Sequence, residues 1–343
     1  TIALIWNRGL LALLYGNVEA DVMNAARIYF YIVAVSFPFL GIYNGGAALF
    51  RAVGDSKVSM KVSLLMNAIN VSGNAILIYG FHCGTEGVAI PTLVSRFVAA
   101  FIIIKLLLKD KWSLHLERTY RFNPDWSMIR KILSVGIPNG LENSMFQLGK
   151  VLVLSLVSTF GTYAIAANAV SNVITLFSIL PGQAICLAVT TVIARCVGAG
   201  DYEQAKYYNK KLILLTHIGM AITIFIVFIT LPFILKVYNL SEAASEATRH
   251  IIWFHGFCAI LIWAESFTLP ATFRACGDAK ACMIISTVSM WIFRVGASYI
   301  LGKNLGLGVF GVWVAMIIDW AFRSLLFGIR YFSGKWKKHA LVS

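Results

Sequence analysis

Ten long runs of apolar residues, separated by short connections, decide most of what this chain can become. They lie at 2–15, 26–49, 58–79, 88–108, 132–160, 164–192, 212–237, 251–273, 283–301 and 309–332. A helix that crosses the hydrocarbon of a bilayer needs about 20 apolar residues, and all but the first run are long enough to be read that way. None shows the sustained alternation of a membrane strand. Charged residues make up 13% of the chain, against about 25% in a soluble domain. The mean hydropathy is +0.78. The expected fold class is an all-α, polytopic membrane protein.

One stretch occurs twice. Phe50-Arg51-Ala52-Val53-Gly54-Asp55-Ser56-Lys57-Val58-Ser59-Met60 returns as Phe273-Arg274-Ala275-Cys276-Gly277-Asp278-Ala279-Lys280-Ala281-Cys282-Met283, with seven identities at a spacing of 223 residues. Each copy lies between two apolar runs and reads as a helix-turn-helix used once in each half. Duplicated halves are a common transporter build. The longest polar connection, 109–126, separates an N-terminal lobe at 1–108 from a C-terminal lobe at 127–343. The lobes are expected to be parallel, pseudo-symmetric helical bundles. If the repeat is complete each has six spans, so about ten of twelve are visible and two precede Thr1.

Charge suggests an orientation. Twenty lysines and arginines fall in one set of connections and four in the alternate set. The positive-inside rule then puts the repeat turns, the 109–126 linker and the C-terminus in the cytoplasm. The formal net charge of +14 is explained by these loops, so no nucleic-acid partner is expected. The expected surroundings are the lipid bilayer of the plasma membrane, and the expected state is a monomer. The six cysteines are scattered and form no metal-ligand or disulfide pattern. Neither a metal motif nor a nucleophile elbow is present, so an enzyme is not expected, and no cofactor is implied.

The ordered motifs carry a resemblance. Phe50-Arg51-Ala52-Val53-Gly54-Asp55, Asn67, Asn70 and Asn74 in one span, and Gly87-Val88-Ala89 leading to Thr92 come first. Gly136-Ile137-Pro138, Val197-Gly198-Ala199-Gly200-Asp201 and Phe273-Arg274-Ala275-Cys276-Gly277-Asp278 follow. In this order the set resembles the multidrug and toxic compound extrusion (MATE) transporters. The resemblance implies twelve helices in two lobes around a central cavity. It also implies export of organic cations or drugs in exchange for Na⁺ or H⁺. By the same likeness the chain begins in the third helix.

Ionisable and amide side chains inside apolar spans point to function. Asn139, Glu142, Asn143, Gln147 and Lys150 form a polar stripe after Pro138. Glu142 is read there as a cation- or proton-binding carboxylate, or else as a partner of Lys150 or Arg294. Glu265 is a coupling candidate or a partner of Arg294. Asp319 and Arg323, four apart, form a self-neutralising pair or place Asp319 in the cavity. Asn67, Asn70 and Asn74 share one helix face. The resemblance implies that Asn70, Asn74 and Thr92 help to bind the coupling cation; the alternative is amide bonding between helices. Asn168, Asn172, Thr175 and Gln183 are read as cavity-lining, with Trp263, Trp291 and Phe267 as aromatic faces for a cationic substrate. Arg51 and Arg274 are read as turn and topology elements. A lipid or polyisoprenoid-linked flippase is the nearest alternative, with a non-transporting receptor or scaffold behind it.

Overall fold

A computed structural model of the chain describes Gly9, residues 20–109, Leu116 and residues 124–339. These residues are overwhelmingly helical, with no strand among them. The apolar run at 2–15 and most of the connection 109–126 lie outside the described residues. The chain divides into two compact units, Thr1–Asn123 and Pro124–Ser343.

The first unit holds α1 (Ala20–Ala52), α2 (Ser56–Ala75, continued by a π turn at Ile76–Gly80) and α3 (Glu86–Leu107). Helices α1 and α2 both pack on α3. Their shared core is Tyr43, Ala47, Phe50, Val62, Ala99, Ile103 and Leu107.

The second unit holds α4 (Trp126–Ser158), α5 (Thr162–Gly198) and α6 (Tyr202–Tyr238). Helix α7 runs from Glu242 to Ala275 through a π turn at Ala264–Thr268. Helix α8 runs from Ala279 to Asn304, with π segments at Met290–Gly296 and Tyr299–Asn304. Helix α9 is Gly308–Phe332.

Eight of these helices are long and apolar enough to cross a membrane. Helix α4 has the length, at 33 residues, but falls outside that group. The stripe from Asn139 to Lys150 lowers its hydropathy, so its polar face needs protein or water beside it. Large apolar side chains such as Phe332 and Phe233 stand exposed on the outer surface, as a chain solvated by lipid requires. This is a multi-pass membrane protein.

The repeated stretch makes the same turn twice. In the first copy Gly54 N–H donates to Arg51 O and Asp55 N–H to Phe50 O; in the second Gly277 N–H donates to Arg274 O and Asp278 N–H to Phe273 O. Gly54 and Gly277 have φ of +91° and +85°, values that a side chain disfavours. This is a Schellman-type helix end. The Gly198-Ala199-Gly200-Asp201 turn repeats it, with Gly200 N–H to Val197 O and Asp201 N–H to Cys196 O.

Gly149 faces α8 at a close contact. A Cβ there would collide with the Met290 methyl group. Here α4 lies against the π segment of α8, with Met290 and Val295 facing the glycine.

Candidate functional site

The second unit lines a half-open cavity of about 770 Å³ between α4, α5, α7, α8 and α9. Its walls include Asn139, Phe146, Lys150, Asn172, Thr175, Gln183, Trp263, Phe267, Arg274, Arg294, Trp313 and Trp320. A smaller cavity of about 260 Å³ shares Lys150, Asn172, Arg294 and Trp313 and adds Asn168. Asn139, Asn168, Asn172, Thr175, Gln183, Trp263 and Phe267 lie on the walls of these two cavities. Asn143 and Gln147 are not on the walls of these two cavities; the Asn143 amide donates to the Asn139 carbonyl at 2.9 Å. Trp291, on α8, is also absent from the walls. Asn168 accepts from Trp313 Nε1 at 3.1 Å, tying α5 to α9.

Glu142 and Glu265 meet basic partners other than those their sequence positions suggest. Glu142 is buried, and its partner is neither Lys150 nor Arg294. Arg274 Nη2 donates to Oε1 at 2.8 Å and to Oε2 at 2.9 Å. Arg274 is thus more than a turn element: it lines the cavity and neutralises a buried carboxylate. The two repeat copies explain the change. Arg51 donates to Ser59 within its own turn at 3.0 Å. The matching position in the second copy is Cys282, a poor acceptor, and Arg274 reaches across to α4 instead.

Asp319 and Arg323 are both buried on α9, 4.0 Å apart. Ser289 donates to Asp319 Oδ1 at 2.5 Å. Asp319 is not on the wall of either cavity, and its Oδ2 faces Arg323 Nη1 without a hydrogen bond.

Glu265 pairs with His217 on α6, not with Arg294. The His217 Nδ1 atom is 2.6 Å from the Ile260 carbonyl, and Nε2 is 3.0 Å from Glu265 Oε1. A carbonyl only accepts, so Nδ1 carries the hydrogen. The Nε2–Oε1 contact then needs a second proton, on the imidazole or on the carboxyl. While the contact lasts, the pair holds one exchangeable proton. Glu265 Oε2 is buried without a partner. Glu265 lies on one π turn and Arg294 on another; such widened turns recur at functional positions.

In the first unit Asn70, Asn74 and Thr92 meet. Asn70 Nδ2 donates to Thr92 Oγ1 at 3.0 Å, and Asn74 Nδ2 to Asn70 Oδ1 at 3.3 Å. Asn74 Oδ1 is buried with no hydrogen-bond partner. The trio is an amide seam between α2 and α3 with one oxygen free to accept. Arg96 nearby donates to Ser36 Oγ at 2.6 Å.

The family model MatE matches residues 1–76 and 138–300 of the chain. The chain belongs to the MatE family. MatE relatives include a probable multidrug resistance protein NorM of Thermotoga maritima, 26% identical over 96% of this chain and 71% of the relative. One similar solved structure is an outward-facing multidrug resistance MATE family transporter, with a TM-score of 0.88 at 19% identity over 98% of this chain and 76% of the other. Another is a Pyrococcus furiosus transporter described by the reverse polarity of its binding pocket, with a TM-score of 0.86 at 21% identity over 96% and 74%. The chain therefore has the fold of MatE transporters, with two helical lobes.

Sequence reasoning missed His217, Phe146 and the pairing role of Arg274. His217 lies seven residues after Lys210 in a long apolar run, where a lone histidine is a usable signal. Arg274 offered none, because its twin Arg51 does serve its own turn.

Proposed function

We propose that this MatE protein is a secondary active exporter of drug-sized amphipathic compounds, exchanging them for an inward-moving cation. The cavity of the second unit carries the reading. Its volume of about 770 Å³ is in the range that accepts drug-sized ligands, and its walls mix aromatic rings with amides and cations. The named multidrug relatives support export as the direction.

For the coupling ion, H⁺ is favoured over Na⁺ by the His217–Glu265 pair, which holds one exchangeable proton beside the cavity-lining residues Trp263 and Phe267. The Asn70–Asn74–Thr92 seam supplies neutral oxygens, the kind of ligand Na⁺ would use. Alternating access follows if proton binding stabilises one conformation more than the other.

The test is dye efflux from cells expressing the full-length protein, with the Na⁺ and H⁺ gradients collapsed separately. Ethidium and an anionic dye of similar size serve as cargo. Efflux that stops when the pH gradient alone is collapsed is the expected result. Efflux that stops with the Na⁺ gradient alone overturns the proton assignment. No efflux of either dye, with protein present in the membrane, overturns the exporter reading.

A second reading, a flippase for lipid- or polyisoprenoid-linked headgroups, is favoured by the basic lining Lys150, Arg274 and Arg294. It predicts headgroup translocation without dye efflux.

A further inference from the structure

We propose that Lys150 and Arg294, set around the ring of Phe146, form an anion subsite that takes the oxyanion group of an amphipathic aromatic compound. Organic cations are the cargo that the resemblance implies, but the wall charges point the other way.

Among the described residues, the charged side chains on the cavity wall are Lys150, Arg274 and Arg294, with no carboxylate. Two nearby acids are already committed. Glu142 is held by Arg274 through both oxygens. Asp319 is fully buried beside Arg323 and accepts from Ser289. Asp319 acts on Arg294 electrostatically, and Arg323 opposes it. Lys150 and Arg294 remain. Their cationic groups lie 5.2 Å and 5.3 Å from the centre of the Phe146 ring, and Arg323 reaches the same ring at 5.8 Å. A ring face offers each cation only a weak attraction.

Arg294 Nε is buried with no hydrogen-bond partner. Lys150 and Arg294 share one ring at 5.2 Å and 5.3 Å, so their like charges repel, and low dielectric strengthens that repulsion. Among the described residues, neither of these two like charges at one ring has a carboxylate within hydrogen-bond or ion-pair distance. Both residues also border the smaller cavity, so a ligand at this point bridges the two spaces. Trp263, Trp313 and Trp320 supply flat apolar walls for its body. A carboxylate or sulfonate on a fused aromatic ring has the required shape, and a lipid phosphate presents the same chemistry.

The inference rests on reading this cavity as the cargo site. Binding is measured with no gradient present, so failed coupling leaves it standing, and failed anion binding leaves export itself untouched. The full-length protein is placed in phosphatidylcholine nanodiscs and titrated calorimetrically, with empty nanodiscs as the blank. The probes are 1-naphthoate and its charge-reversed counterpart 1-naphthylmethylammonium.

Naphthoate is expected to bind about tenfold or more tightly than the ammonium, and Lys150→Gln to lose about tenfold of naphthoate affinity. Arg294→Gln is expected to lose at least as much. Because Arg294 is packed among helices, Lys150→Glu serves as the second variant, and it is expected to shift the preference toward the ammonium. Equal or tighter binding of the ammonium to the unmodified protein overturns the proposal. So does naphthoate affinity that Lys150→Gln and Lys150→Glu leave unchanged. Loss of naphthoate binding when phosphatidylglycerol is added supports the subsite and assigns it to a lipid headgroup; undiminished binding supports a soluble anion.

Discussion

Arg274 and Glu142, 132 positions apart in sequence, meet through a single nitrogen: Nη2 of the guanidinium lies 2.8 Å and 2.9 Å from the two carboxylate oxygens. The contact joins the C-terminal end of α7 to the middle of α4. It fixes the wall of the cavity at the place where the repeated turn begins.

That pair has a measurable stability. Glu142→Gln leaves a largely enclosed guanidinium without its counter-charge, which costs on the order of 2–4 kcal/mol when a buried pair is broken from one side. Arg274→Gln alone leaves the carboxylate. The double variant removes both charges and is expected to recover part of the loss. A thermal-unfolding cycle of the four proteins reads the coupling; strictly additive losses would show that the contact contributes nothing.

The proton held between His217 and Glu265 predicts a transport phenotype. Glu265→Gln keeps the shape but cannot exchange a proton, so efflux should no longer respond to the pH gradient while protein abundance is unchanged. His217→Gln is expected to act in the same direction. Efflux of either variant that still follows the pH gradient would remove the pair from the coupling path.

In the first unit the amide seam is open to a similar test. Thr92→Ala leaves the Asn70 amide short of one acceptor and is expected to cost about 1 kcal/mol, typical of hydrogen bonds between membrane helices. A thermal shift near zero would mean that Asn70 finds another partner. If the seam also carries a cation, Asn74→Ala should abolish any Na⁺-dependent rise in stability, since Asn74 Oδ1 is the acceptor left free.

Orientation can be read by labelling. Ser56 and Lys280 are exposed in the two repeat turns, so cysteine at either position, in a cysteine-free background, is expected to react with an impermeant maleimide only from the cytoplasmic side. Ala279 is buried and unsuitable. Reaction from outside at both positions would invert the topology.

The helices and repeat turns were legible in the sequence because they depend on local patterns: apolar length, the Gly-Asp pair and seven identities. The charge partners were not. Glu142, Glu265 and Asp319 each had a cation plausible by sequence spacing, but only Asp319 keeps it, and Asp319–Arg323 is the one pair within a single helix turn. The other two pairs join separate helices, 48 and 132 positions apart. The π turns under Glu265 and Arg294 were equally hidden, since their formation depends on packing against neighbouring helices.

The widened turn at Ala264–Thr268 also bears on how the chain tolerates change in length. In a regular helix, removing one residue rotates everything beyond it by about 100°. A π turn already contains one residue more than the α ladder requires. Deleting one residue between Ala264 and Thr268 lets the bulge close while Trp263 and Arg274 keep their relative facing. The same deletion one turn earlier or later would swing Arg274 away from Glu142. Along α7, the stretch that bears the proton-holding carboxylate is the part of the helix that can shorten and still leave the cavity wall aligned.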